Sequence, residues 1–172
     1  MNQAFTISVP HLHTERLTLR EYRVEDFALF ADHLSNAESS AHLGAADRAA
    51  AWRIFSSHAG FWLLSGAGWW SIEDRQTGKL VGNVGAFFRD ESTVMEMGWN
   101  TYRAFWGKGI ANEAAGAVLN YVFDVRREPK VRALIDSGNE SSRRVAERLG
   151  MTYEMETELH GKIINSYMRE RT

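Results

Sequence analysis

A change in hydrophobic period near the middle of the chain excludes both an all-helical and an all-strand fold. Short runs at 69–73, 80–88 and 93–99 are bounded by turn residues, as is typical of antiparallel strands. Beyond them, apolar residues recur every three or four positions, which predicts a long amphipathic helix. Its apolar face contains Ile110, Ala114, Ala117, Val118, Tyr121, Val122 and Val125. Strands that lead into one long helix indicate a mixed α/β fold.

The flanking segments extend this pattern on both sides. Further strands are predicted at 17–22, 131–135, 151–159 and 163–168, and further helices at 26–36, 47–64 and 141–149. The predicted fold class is therefore mixed α+β, with about seven strands in a mostly antiparallel sheet and about four helices. We expect one domain over 1–172, because a chain of 172 residues that is 44% hydrophobic can bury a single core.

Composition limits the kinds of partner and chemistry. The net charge of -2 gives no bulk attraction to nucleic acid or to an anionic membrane, so neither is expected as a partner. The absence of cysteine excludes disulfides, thiolate catalysis and cysteine-based zinc sites, and the six histidines show no ligand spacing, so no metal is predicted. The first residues do not resemble a secretory signal, and no apolar run approaches a membrane span. We therefore expect a cytoplasmic protein.

Two glycines stand directly before the long helix, in the sequence Gly107-Lys108-Gly109. Glycine lets the backbone approach a ligand closely, and the free N–H groups and dipole of a helix N-terminus favour an anion such as phosphate. A tight turn that needs glycine only for steric reasons is the alternative. The GxxxxGK[ST] motif is absent, and GxGxxG fails because Asn112 stands where the third glycine belongs, so a mononucleotide site is not expected.

Three stretches of the chain carry a family resemblance. They read TERLTLREYRVEDF, MEMGWNTYRAFWGKGIANEA and NESSRRVAERLGM, and together with the element order they cover nearly the whole sequence. The chain resembles the GNAT superfamily of acetyl-CoA-dependent N-acetyltransferases, and most of all the branch of the ribosomal-protein N-terminal acetyltransferases (RimJ/RimL-like). The resemblance implies acetyl-CoA as co-substrate and an amine acceptor, either a protein N-terminus or a small molecule. A monomer or a homodimer would be usual.

The same resemblance implies where the cofactor binds. Residues 107–111 match the family's Q/R-x-x-G-x-G/A loop for the diphosphate, except that Trp106 replaces Gln or Arg. The strand that ends near Trp99 is expected to splay from 131–135, which leaves a V-shaped gap for the pantetheine arm. The implied cofactor-binding residues are Met97, Gly98, Trp99, Gly107, Lys108, Gly109, Ile110, Ala111, Asn112, Asn139 and Ser142. For the last two, simple helix capping is the alternative.

Acetyl transfer also needs proton acceptors and donors. Glu96 is the predicted base, because the family often places its base on this strand and the flanking methionines would partly remove the carboxylate from water. A solvent-facing glutamate, with water as the proton carrier, is the alternative. Ser142 is the predicted proton donor to the thiolate, because no tyrosine lies within 139–150 and Tyr153 lies too far along the next strand. A backbone N–H near 97–99 is the predicted oxyanion donor.

Two further points stay open in the sequence. Arginine and lysine side chains near these motifs would either contact the cofactor's phosphates or simply face solvent; they are Arg103, Lys108, Arg143 and Arg144. A domain that binds acyl-CoA without catalysis, as a sensor or recruitment module, is the alternative to an enzyme. The sequence gives no pattern that identifies the acceptor.

Overall fold

The computed structural model describes residues 6–172, and within them eight strands form one sheet in the order β1-β2-β3-β4-β5-β6-β8-β7. The strands are β1 (Leu12–His13), β2 (Leu17–Arg20), β3 (Trp69–Asp74), β4 (Leu80–Phe87), β5 (Met95–Thr101), β6 (Lys130–Asp136), β7 (Thr152–Leu159) and β8 (Lys162–Glu170). The helices are α1 (Phe27–Ser35), α2 (Arg48–Ser65), α3 (Ile110–Asn120) and α4 (Glu140–Arg148). The predicted fold class is confirmed.

Two local features differ from the sequence prediction. Strand β1 was missed because it has two residues, too few to show a period, and it exists through its pairing with β2. The predicted long helix ends at Asn120 and continues through Tyr121–Val125 as one π-helical turn. The π turn changes the rotation per residue, so Val122 stays in the core whereas Val125, predicted on the apolar face, is 67% exposed.

The main core lies between α3 and one face of the sheet. Fully buried side chains from the strands meet Val118 and Val122 of the helix segment; among them are Leu17, Trp70, Ile72, Val84 and Val131. Burial of one such side chain stabilises the fold by roughly 1.5–3 kcal/mol. On the opposite face, α1 and α2 form a smaller cluster around Phe30 and Phe55. The sheet is therefore covered on both faces by helices.

The sheet opens between its two parallel neighbours, β5 and β6. In the described part of the chain these strands pair at Met95 with Val131 and at Glu96 with Arg132, and then separate. Each of the two separating strands, here called the two arms of the gap, stays paired on its other side. Strand β5 is paired with β4 up to Thr101, and β6 is paired with β8 along its length. The expected V-shaped splay is confirmed. Backbone groups beyond the last pair face a gap that a linear amide-bearing ligand can enter as an added strand would.

Candidate functional site

The glycine loop follows the open end of β5 and leads into α3. Gly107 and Gly109 have φ angles of +74° and +75°, in the left-handed region where side chains with a Cβ are strained. Gly109 is the N-cap of α3, and among residues 6–172 no side-chain hydrogen bond caps that end. A Cβ added at Gly107 would meet nothing within 4 Å, so open space lies beside the backbone there. The loop therefore fits an anion held by amide groups and the helix dipole.

Side chains beside the loop are arranged around this backbone. The Trp106 indole Nε1–H donates to the Thr101 carbonyl at 2.7 Å, which directs the side chain back toward the end of β5 although it is 44% exposed. The Lys108 ammonium lies over the Phe105 ring, 5.2 Å from its centre. In the first turn of α3, the buried Asn112 side-chain oxygen has no hydrogen-bond partner among the described residues. This oxygen is an acceptor, so it would need a donor group and cannot itself bind phosphate oxygens.

Met97, Gly98 and Trp99 lie on the part of β5 that has left β6, as predicted for residues along the gap. The structure gives a second physical reason for glycine at position 98. A Cβ added there would come within 2.6 Å of Cη2 of Trp69, whose indole lies across Gly85 and Gly98. The indole of Trp69, a residue of β3, therefore covers one face of β5 next to the point where the gap begins.

Glu96 occupies the last paired position before the strands separate, and it is 2% exposed. The alternative of a solvent-facing glutamate is wrong. Arg89 donates from Nε at 3.0 Å and from Nη2 at 2.9 Å to Oε2, and Arg132 donates from Nη2 to Oε1 at 2.9 Å. Both carboxylate oxygens thus already accept hydrogen bonds from guanidinium groups. The sequence did not reveal this cluster, because Arg132 lies 36 residues from Glu96.

Asn139 and Ser142 lie at the open end of the gap on the β6 side. Asn139 caps α4: its side-chain oxygen accepts from the Ser142 backbone N–H at 3.1 Å and from the Ser141 hydroxyl at 2.9 Å. Capping uses the oxygen, so the side-chain NH2 group remains able to donate to a ligand. The chain direction brings this turn and the glycine loop to the same edge of the sheet, because both follow the carboxyl ends of parallel strands.

The connection between α1 and α2 was not recognised from the sequence. Glu38 forms an ion pair with Arg103, which follows β5, and His42 Nδ1 lies 3.3 Å from Oδ1 of Asp136, at the end of β6. This connection thus reaches across the open end of the gap from one arm to the other. No sequence signal predicts such contacts, since His42 and Asp136 are 94 residues apart.

The remaining arginines of the sequence hypothesis have partners on the helix surface. Arg143 contacts Glu147 at 2.6 Å, and Arg144 contacts Glu140 at 2.7 Å, at the i,i+4 spacing of exposed helix pairs. These contacts match the solvent-facing alternative for the two arginines.

The face of the sheet that carries Trp69 combines aromatic rings with the Glu96 ion-pair cluster, because Glu96 lies two residues from Gly98 on the same face of β5. The His58 ring stacks on the Trp69 indole, with centroids 4.1 Å apart and an interplanar angle of 5°. Burial lowers the pKa of His58 to about 3, so the imidazole is neutral at pH 7. Tyr22 places its hydroxyl 3.1 Å from His58 Nδ1. A ligand that approached the gap from this face would meet aromatic rings and a Glu96 carboxylate that is already ion-paired with Arg89 and Arg132.

No group of three or more histidine, aspartate or glutamate side chains within 6–172 is arranged to hold a metal ion. In the same range, no helix combines the length and apolar character that crossing a membrane requires.

Comparison with known proteins agrees with this geometry. A sequence model described as an acetyltransferase (GNAT) domain matches residues 16–152. The protein YkkB of Bacillus subtilis (strain 168) is 42% identical over 107 residues, which cover 61% of this chain and 62% of that protein. The chain therefore spans less than two thirds of the length of this relative.

Solved structures extend the likeness to the whole fold. An acetyltransferase from Agrobacterium tumefaciens str. C58 is 28% identical, with a TM-score of 0.88 and coverage of 99% of each chain. RimL, a ribosomal-protein acetyltransferase solved with coenzyme A, has the same fold with a TM-score of 0.77 at 14% identity, over 94% of this chain and 98% of that one. With a family match over most of its length and a sheet that splays beside a glycine loop, the chain belongs to the GNAT family of acetyltransferases, whose members use acetyl-CoA.

Proposed function

We propose that this protein transfers the acetyl group of acetyl-CoA to a primary amine, on a protein N-terminus or a small molecule, by direct attack within a ternary complex. The observation that carries the proposal is the gap between β5 and β6, which ends on one side at an uncapped glycine loop. A strand-wide gap suits the amide-bearing pantetheine arm, and the loop suits the diphosphate at its end.

The proposed cofactor contacts come from three segments of the chain. Backbone N–H groups of 107–111 hold the diphosphate, and Asn112 follows them in the first turn of α3. The backbone of 97–99 pairs with the pantetheine arm, and the NH2 group of Asn139 donates to it from the other side. RimL, which has the same fold and was solved with coenzyme A, supports this assignment.

In the reaction, the amine nitrogen attacks the thioester carbonyl, a C–N bond forms, and the C–S bond then breaks. The amine loses a proton and the departing thiolate gains one. Backbone N–H groups of 97–99 are the proposed donors to the oxyanion. The Ser142 hydroxyl is the proposed proton donor to the sulfur.

The structure bears on the choice of proton acceptor. Glu96 and water were the two routes open from the sequence. Guanidinium groups already occupy both Glu96 oxygens, so an incoming amine proton would have to displace an ion pair that is buried on the Glu96 side. We therefore favour water as the acceptor and assign Glu96 the task of tying β5 to β6 at the base of the gap.

The acceptor is proposed to enter from the face that carries Trp69, under the connection between α1 and α2. The rings of Trp69 and His58 favour an amine on an apolar or peptide-like molecule, and the Glu96 carboxylate on the same face is ion-paired with two arginines and so attracts a polyamine only weakly. RimL, a ribosomal-protein acetyltransferase with the same fold, makes a peptide N-terminus the first acceptor to test.

The test measures release of free CoA from acetyl-CoA with three acceptors: short peptides with a free N-terminus, the same peptides with a blocked N-terminus, and spermidine. We expect turnover with the free peptides alone. Ser142→Ala should lower kcat, whereas Ser141→Ala, which removes a hydroxyl from the same turn, should not. Binding of acetyl-CoA without turnover on any amine would instead support the non-catalytic sensor.

A further inference from the structure

We infer that Arg16 is a positioning residue for the diphosphate site: it fixes the direction of the glycine loop's peptide groups from outside the loop. The inference rests on the proposed cofactor site and goes beyond it, because Arg16 lies at the start of β2, 92 residues from the loop in sequence.

Arg16 contacts both the loop and the helix that follows it. Its Nη1 donates to the Lys108 carbonyl at 2.9 Å, in the middle of the Gly107-Lys108-Gly109 turn. Its Nε and Nη2 each lie 2.6 Å from Oε2 of Glu113, in the first turn of α3. A Cβ at Gly109 would lie 3.5 Å from Nη2, so the guanidinium lies directly against the loop.

The direction of one peptide group follows from this contact. A trans peptide is planar, and its C=O and N–H point in opposite directions. When Arg16 holds the Lys108 carbonyl on its side, the N–H of Gly109 must point away from Arg16. Gly109, which follows this peptide, would otherwise let it rotate more easily than a residue with a Cβ would. Arg16 therefore keeps an amide donor oriented toward the proposed diphosphate before the ligand arrives.

Glu113 is itself fixed on this side of the loop. Its carboxylate accepts from the Thr14 hydroxyl and from the Arg16 backbone N–H at 3.0 Å. Burial alone would raise the pKa of Glu113, but the hydrogen bonds from Thr14 and Arg16 outweigh it and lower the pKa. Arg75 in turn holds this segment by donating its backbone N–H to the Arg16 carbonyl at 2.9 Å. The brace is thus built into the sheet.

The pairing with Glu113 decides what Arg16 contributes. A carboxylate next to the guanidinium neutralises its charge, so the effect on the cofactor comes through orientation of the loop and not through direct attraction. Loss of the brace should therefore weaken ligands that carry the diphosphate and leave a ligand that lacks it unchanged.

The test uses Arg16→Lys, which keeps the charge and the aliphatic stem but cannot reach both partners with a planar fork. Glu113→Gln is a second variant that keeps the side-chain size. The control is Arg23→Ala, which removes an arginine that is 49% exposed and ion-paired to a glutamate, as Arg16 is at 47%. Thermal unfolding shows whether each variant is folded.

Calorimetry measures the Kd of acetyl-CoA and of S-acetylpantetheine, which has no diphosphate, and amide NMR follows the Gly109 N–H during the acetyl-CoA titration. We expect Arg16→Lys to raise the Kd of acetyl-CoA about tenfold. The change in the Gly109 amide chemical shift on addition of acetyl-CoA should become smaller, and the Kd of S-acetylpantetheine should equal that of the parent protein. An unchanged Kd and an unchanged Gly109 shift in a folded variant would overturn the inference, as would an equal loss for both ligands. If the parent protein binds no acetyl-CoA, the proposed function fails instead.

Discussion

Replacement of Gly107 by alanine separates the ligand role of the loop from its folding role. Gly107 has a φ of +74°, and the added Cβ would meet nothing within 4 Å. The folding cost is therefore backbone strain without a clash, about 1–2 kcal/mol for a residue with a Cβ in the left-handed region. For a chain of this length, each kcal/mol lowers the Tm by roughly 2–4 °C.

Gly161 supplies a matched control in the turn between β7 and β8. Its φ is +76° and an added Cβ would also meet nothing within 4 Å. Gly161→Ala should therefore lose the same folding free energy as Gly107→Ala. Acetyl-CoA affinity should distinguish the two variants, because only the Cβ at position 107 would occupy the open space proposed for the diphosphate.

Thermal unfolding and calorimetric titration with acetyl-CoA check both expectations. We predict similar Tm losses for the two variants, and a Kd that rises at least about tenfold, or 1.4 kcal/mol, for Gly107→Ala alone. Equal affinity in both variants would refute the reasoning that glycine is needed at 107 for close approach of a ligand. It would leave the steric turn as the only reason for this residue.

Three further predictions concern buried and ion-paired charges. Asp26→Ala should lower the unfolding free energy in urea by about 3–5 kcal/mol, because the buried Arg20 would lose a partner at 2.8 Å; a loss below about 1 kcal/mol would contradict this. Burial would raise the pKa of Glu21, but hydrogen bonds from His11 and Arg23 outweigh it and lower the pKa to about 2. The contribution of Glu21 to the free energy of unfolding is therefore complete above the ordinary pKa of 4.5 and is lost as the pH falls toward 2. Acid titration of unfolding should show this loss, and Glu21→Gln should reduce it. Glu96→Gln should destabilise the fold by about 3 kcal/mol while the pH profile of acetyl transfer keeps its shape; loss of one limb of that profile would restore Glu96 as the base.

The elements of the fold were predictable where a period is strong and local. The helical spacing from Ile110 and the alternation at 17–22 depend on near neighbours in the chain, so the sequence contains the signal. Strand β1 and the π turn at Tyr121–Val125 lack such a signal, because one is too short and the other shares the apolar spacing of a helix. The splay of β5 from β6 came from family resemblance, since pairing between distant strands has no local period.

The site was predictable in its backbone and not in its charges. The glycines at 107 and 109 indicate a loop with unusual φ values, and their position before a helix is visible in the sequence. The partners of Glu96, the contact of His42 with Asp136, and the brace from Arg16 all join residues that the fold brings together from distant segments. The base role predicted for Glu96 ignored such partners, because a single strand residue reveals nothing about its neighbours across the sheet.

The most direct test of the account is a calorimetric titration of the purified protein with acetyl-CoA, with free CoA for comparison. The account predicts saturable binding with one site per chain and micromolar affinity, about -8 kcal/mol. Binding of both ligands with similar affinity would show that the diphosphate and pantetheine arm supply most of the contact. Absence of binding by either ligand would contradict the assignment of the glycine loop and the gap between β5 and β6 as the cofactor site.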